Sequence, residues 1–189
     1  MRLSYFASRG LRSIVVLLVL GGLGATILPA RAGGPALWRT LFPTVAAYPV
    51  GTRLLPVQTS RQADVLLDRV TAAQVSRLGF VVGGIQDVIL PRRVVVSVRV
   101  LSFGTARGAA LFLRHDHPAE LAHPATAGTP IGGMGDGARY LAGDCAACGS
   151  GAAPLGILIL RRGAAVVQIL TQPTDHALAL HLGRAVLHP

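Results

Sequence analysis

Residues 94–103 read Val-Val-Val-Ser-Val-Arg-Val-Leu-Ser-Phe. Val94, Val96, Val98 and Val100 share one face of an extended chain, while Ser97 and Arg99 share the other, because successive strand side chains point to opposite sides. A β-branched run with this period predicts a strand of an antiparallel sheet with one covered face. Just upstream, residues 80–90 (FVVGGIQDVIL) predict its partner, joined to it through Pro91-Arg92-Arg93.

Working outward, each strand pair meets a helical segment. Ser60 is placed to cap a helix over SRQADVLLDRVTAAQVSRLG, in which Val65, Leu66, Arg69, Val70, Ala73 and Arg77 recur at helical spacing and Gly79 supplies the stop. Gly104-Thr105 ends the valine-rich strand and caps ARGAALFLRHD, where Ala106, Ala109, Ala110 and Leu113 form a stripe small enough for close packing. Residues 118–135 predict a long loop containing Pro118, Pro124 and Pro130. Residues 137–143 predict a short strand, and 155–161 with 164–171 a hairpin about Arg162-Gly163. Thr174 is placed to cap a last helix, DHALALHLGRAVLH. The predicted order is α-β-β-α-β-β-β-α. It describes an α+β domain with a mostly antiparallel sheet of about five strands packed with three helices.

The amino terminus reads differently from the rest. Residues 1–12 carry Arg2, Arg9 and Arg12 without an acid, residues 13–28 are uncharged and apolar, and Ala30-Arg31-Ala32 follows Pro29. A positive start, an apolar run and small residues at a cleavage position are the three parts of a secretory signal peptide. The alternative is an uncleaved N-terminal anchor, but 16 residues interrupted by Gly21, Gly22 and Gly24 fall short of a bilayer span. Cleavage near Ala32 makes the chain secreted or extracytoplasmic, a protein of the cell envelope. Membrane contact is then expected only through residues 13–28, if they are retained. The expected organisation is a signal peptide over 1–32, an extended segment over 33–56, and a single domain over 57–189. Trp38, Phe42 and Tyr48 are the expected docking points of the extended segment.

Charge and composition narrow the function. All 18 basic residues are Arg, facing 8 acids. Without Lys, there is no Schiff base and no P-loop or kinase lysine. Removing residues 1–32 takes four Arg away, so 14 Arg against 8 acids leave +6 in place of +10. The seven Asp and single Glu are scattered, which argues against a paired-carboxylate hydrolase. Arg92-Arg93 and Arg161-Arg162 fall at two predicted turns and form a candidate anion patch. Without interleaved aromatic residues they do not predict nucleic-acid binding.

Cys145-Ala-Ala-Cys148 is the strongest local motif. Two thiols so spaced can close a disulfide, act as a redox pair or supply half a zinc site. Glycines flank the motif, Gly143 before and Gly149 after, so no helix is expected to lower a thiol pKa, and Asp144 opposes a thiolate. In an oxidising compartment a disulfide is the favoured reading. His115, His117 and His123, with Glu120, are weaker metal candidates, because residues two apart face away from each other on a helix and Pro118 and Pro124 interrupt the segment. No metal and no cofactor is therefore expected. Gly132-Gly133-Met134-Gly135-Asp136-Gly137 lacks both the dinucleotide spacing and the P-loop Lys, and Asp136 would repel phosphate. It reads as a turn of positive-φ glycines entering a strand.

Several of these pieces come in a known order. They are Gly79-Phe80, the strand Val94 to Phe103, the Ala-rich helix, Pro130-Ile-Gly-Gly-Met-Gly-Asp-Gly-Ala138, Arg161-Arg162-Gly163-Ala-Ala-Val-Val167 and the helix over 175–188. Over residues 54–188 the chain resembles small exported bacterial domains of the PsbP/LpqN-like (Mog1-type) family. The resemblance implies an α/β/α sandwich, mostly non-catalytic, that binds proteins or apolar ligands. It carries no catalytic residue over, and the Cys pair is not part of its pattern. The expected function is an exported, non-enzymatic envelope domain binding a protein partner or an apolar small ligand between sheet and helices. The alternative is a thiol redox or metal-dependent envelope enzyme using Cys145 and Cys148.

Overall fold

The structure is a computed structural model describing residues 37–91, 94–115, 118, 121, 128–145 and 154–188. The expected signal peptide lies outside the described residues. The chain forms β1 (Arg53–Leu54), β2 (Gln58–Ser60), α1 (Arg69–Arg77), β3 (Phe80–Ile89), β4 (Val95–Phe103), α2 (Ala106–His115), β5 (Thr129–Pro130), β6 (Ala138–Gly143), β7 (Leu155–Arg162), β8 (Ala165–Gln172) and α3 (His176–Leu187). The α+β class is as expected, and every strand pairing is antiparallel.

The sheet is larger than expected, with eight strands in the order β1-β3-β4-β8-β7-β6-β5 and β2 also paired to β3. The additional strands β1, β2 and β5 have only two or three residues each. Segments so short have no readable period. They are strands because a longer neighbour offers them unpaired backbone groups.

Both faces of the sheet are covered, which corrects the single covered face expected from residues 94–103. Val96, Val98 and Val100 pack with Leu158, Leu160, Val167 and Ile169 under Ala179, Leu182 and Val186 of α3. Leu101 and Phe103 pack on the opposite face with Ile157, Ile159, Val166 and Leu170, under Val75 of α1 and Ala109 and Phe112 of α2. The two continuous apolar runs, residues 155–160 and 165–171, are buried throughout. Such runs mark strands covered on both sides. The α/β/α layering implied by the resemblance is present.

Two helix starts differ from expectation. Ser60 belongs to β2, opposite Gly83, and its hydroxyl accepts the Gln62 N–H at 2.9 Å. It thus closes a turn, and a 3-10 turn (Ala63–Val65) follows it. The cap of α1 is Asp68, whose carboxylate accepts the N–H groups of Val70 at 2.9 Å and Thr71 at 3.1 Å. At α3 the capping carboxylate belongs to Asp175, which accepts Leu178 N–H at 2.9 Å, and Thr174 precedes it. Thr105 does take the expected role, accepting Gly108 N–H at 3.0 Å.

Residues 37–56 are not simply extended. Leu37–Leu41 and Val45–Ala47 form 3-10 turns, and Trp38, Leu41 and Tyr48 join the α3-side core. His181 Nε2 of α3 lies 3.1 Å from the Ala47 carbonyl. Trp38 and Phe42 meet edge to face at 6.2 Å over β3. Their seat requires Gly84, where an added Cβ would come within 2.9 Å of the Trp38 ring and 3.2 Å of Phe42.

Two predictions follow from these contacts. In Gly84→Val the ring of Trp38, the chain's one tryptophan, is pushed off the sheet. Its emission shifts to the red and stability falls by about 1–3 kcal/mol; unchanged emission would refute the seat. Asp68→Ala removes the α1 cap and costs about 1 kcal/mol at neutral pH. Partial burial raises the Asp68 carboxyl, but hydrogen bonds from Thr71 and Val70 and the nearby Arg99 guanidinium outweigh it and hold the group below its ordinary value. A carboxyl lowered on folding stabilises above its unfolded pKa and loses that contribution as pH falls through the folded one. The difference in Tm between wild type and Asp68→Ala therefore closes on acidification, and a difference that persists in strong acid would exclude the charged cap.

Candidate functional site

The two interlayer spaces are packed with large side chains among the described residues. Phe112, Leu101, Ile157, Ile159, Leu160, Ile169 and Leu182 fill both interlayer spaces and are fully buried. A groove of about 550 Å³ lies on the outer side of the α1–α2 layer.

The groove follows from how the two helices meet. Gly79 has φ +83°, turns the chain out of α1 into β3, and accepts Gly104 N–H at 2.8 Å just before α2. Gly108 lets the start of α2 abut the end of α1, because a Cβ there would lie 2.2 Å from the Leu78 carbonyl oxygen. At the other end Gln74 Nε2 donates to the His115 carbonyl at 3.4 Å. The end of α1 thus meets the start of α2, and Gln74 in the second half of α1 reaches the last residue of α2.

Thr71, Ala72 and Val75 are the residues of α1 turned inward. Val70, Ala73, Gln74 and Arg77 are then carried to the groove, with Arg69 at its start and Leu78 at its end, while α2 contributes Leu111 and His115. The floor is apolar, Val70 being 78% exposed. Among the described residues the polar groups of the groove are cationic or neutral, and none is a carboxylate. The nearby Asp68 carboxylate is engaged by two backbone N–H groups. Arg69, Val70, Ala73 and Arg77 had been read as part of a helical period, and their spacing is indeed that of one face. The face points to solvent because the buried one is set by Ala72 and Val75.

The residues singled out from the sequence separate. Cys145 is half-buried, forms an isolated antiparallel bridge with Leu121, and is not a free thiol. Its expected partner Cys148 lies outside the described residues, as do Arg92, Arg93, His117, Glu120 and His123. His115 lines the groove, and the described residues contain no group of three or more potential metal ligands.

Arg161 and Arg162 are engaged with the protein itself. Arg161 donates to the Asp136 carbonyl at 3.0 Å and the Gly163 carbonyl at 3.2 Å, and lies 3.6 Å from the Asp136 carboxylate. Arg162 reaches the Val186 carbonyl at 3.5 Å. Their turn follows the pairing of Ser102 with Ala165, whereas Pro91 and Val94 adjoin the pairing of Val95 with Gln172.

The glycine-rich segment is a clasp on that first turn. Asp136 accepts Gly163 N–H at 2.6 Å and donates its own N–H to Arg161 at 2.9 Å. Gly133 and Gly135 have φ +68° and +59°, and a Cβ at Gly135 would lie 2.4 Å from the Arg161 carbonyl oxygen. Between them Met134 is driven into the core beside Gly183 of α3.

No family model and no curated protein matches this sequence. Among solved structures, the fold is similar to the extracellular domain of PknH from Mycobacterium tuberculosis. The TM-score is 0.52 at 11% identity, covering 79% of this chain and 92% of that one. The likeness is one of fold: the same α/β architecture, carried by a sequence almost wholly different.

Proposed function

We propose that this chain is an exported, non-enzymatic domain of the cell envelope that binds a protein partner or an apolar small ligand. The observation that carries the reading is the α1–α2 groove, open and floored by Val70, Ala73, Leu78 and Leu111. Binding sites of this kind are concave and largely apolar with a few placed polar groups. The export signal expected over residues 1–32 supports the compartment, as does likeness of fold to a domain described as extracellular.

The Cys145–Cys148 disulfide belongs to the same reading. Cys145 is not a free thiol, and an oxidising compartment favours a static bond pinning the β6–β7 connection. A ring so small stabilises by less than the ~3 kcal/mol expected of a 15-residue loop. Native mass spectrometry of protein recovered from the producing cell envelope tests the proposal. The expected mass corresponds to a chain starting near Gly33, unmodified by alkylating reagent and carrying a non-covalent ligand or partner. Alkylated cysteines, or a stoichiometric metal lost on His117→Ala, would instead favour the thiol or metal-dependent enzyme.

A further inference from the structure

The geometry points to a specific ligand class for the groove: a monomeric, single-chain anionic amphiphile, a fatty carboxylate, with its chain on Val70, Ala73 and Leu111 and its head group on Arg69 or Arg77. This rests on the binding reading above and narrows it. The argument is charge complementarity on an apolar floor. Arg69 and Arg77 stand at the two ends of α1, eight residues apart and so about 12 Å along the helix axis. His115 stands on the opposing helix, and among the described residues no carboxylate lines the groove. Among the described residues neither arginine is within ion-pair distance of a carboxylate. Arg161, by contrast, is paired with Asp136.

A neutral apolar ligand would leave both guanidinium groups idle and partly desolvated. A cationic one would be repelled. A carboxylate accepts two parallel N–H bonds from a guanidinium fork, and its alkyl chain covers the exposed valine and leucine beside it. The groove is concave, so a single chain fits along it, whereas a bilayer surface would meet the arginines and miss the floor.

The test is calorimetric titration of the full chain with laurate, with dodecyltrimethylammonium as the cationic counterpart. Laurate is expected to bind saturably at one site, and the cationic amphiphile about tenfold more weakly or worse. Arg69→Gln with Arg77→Gln should weaken laurate by at least about tenfold, the loss of one charge-assisted contact. Ala73→Trp fills the groove at an exposed position and should abolish uptake with Tm unchanged. Should that variant not fold, Val70→Asp places a like charge on the floor and reads the same loss.

Equal affinity for the two amphiphiles, or laurate binding undiminished by both groove variants, would overturn the inference. So would attachment to phosphatidylglycerol vesicles through Arg69 and Arg77 without uptake of free laurate, which would make the face a membrane-docking surface. If laurate is refused while protein from the envelope still carries another bound species, this inference alone falls. If that protein carries nothing and its cysteines alkylate, the binding reading falls with it.

Discussion

The whole arrangement depends on β8 and β7 being buried on both faces at once, with Leu101 and Phe103 of the neighbouring β4 joining the second face. Ile169 and Val167 lie under α3 while Leu170 and Val166 lie under α2, so a single strand serves two cores. Each fully buried aliphatic side chain contributes about 1.5–3 kcal/mol. The unbroken antiparallel pairing of the three strands satisfies backbone groups that no water can reach. Helices on either side are then obligatory. The sheet cannot tolerate a wet face, and the helices have no other apolar surface of that size to cover.

That demand fixes which helix residues the core does not use, and Arg69, Val70, Ala73 and Arg77 of α1 are left to form an outer surface beside α2. The short distance between α1 and α2, set by Gly108 against Leu78, makes that surface a groove rather than two separate ridges.

The long strands were legible in the sequence because their runs are longer than any loop and rich in β-branched residues. The Thr105 cap and the positive-φ turn around Gly133 and Gly135 were legible because each needs a particular residue type. The start of α1 was not. Ser60 and Asp68 both have capping chemistry, and the choice was made by β3, whose unpaired edge captures Ser60 as a strand. The groove was half legible. The spacing of Arg69, Val70, Ala73 and Arg77 identifies a helix face, but a helix of alternating basic and small apolar residues does not declare which side is inward. Packing against Phe112 and Leu101 settles it by taking Val75 and Ala72.

An all-arginine surface has a consequence for these assignments. Guanidinium is planar, always charged and less strongly hydrated than ammonium, so the same residue type can act as a structural clip or as an anion receptor. The difference lies in what stands opposite. Arg161 faces Asp136 and two carbonyls that close the Met134 clasp onto α3, and its charge is spent within the fold. Arg69 and Arg77 face an apolar floor that, among the described residues, carries no carboxylate, and the adjacent Asp68 is committed to the helix cap. The fold therefore separates its arginines by partner. Those on the α1–α2 groove are left to be satisfied from outside.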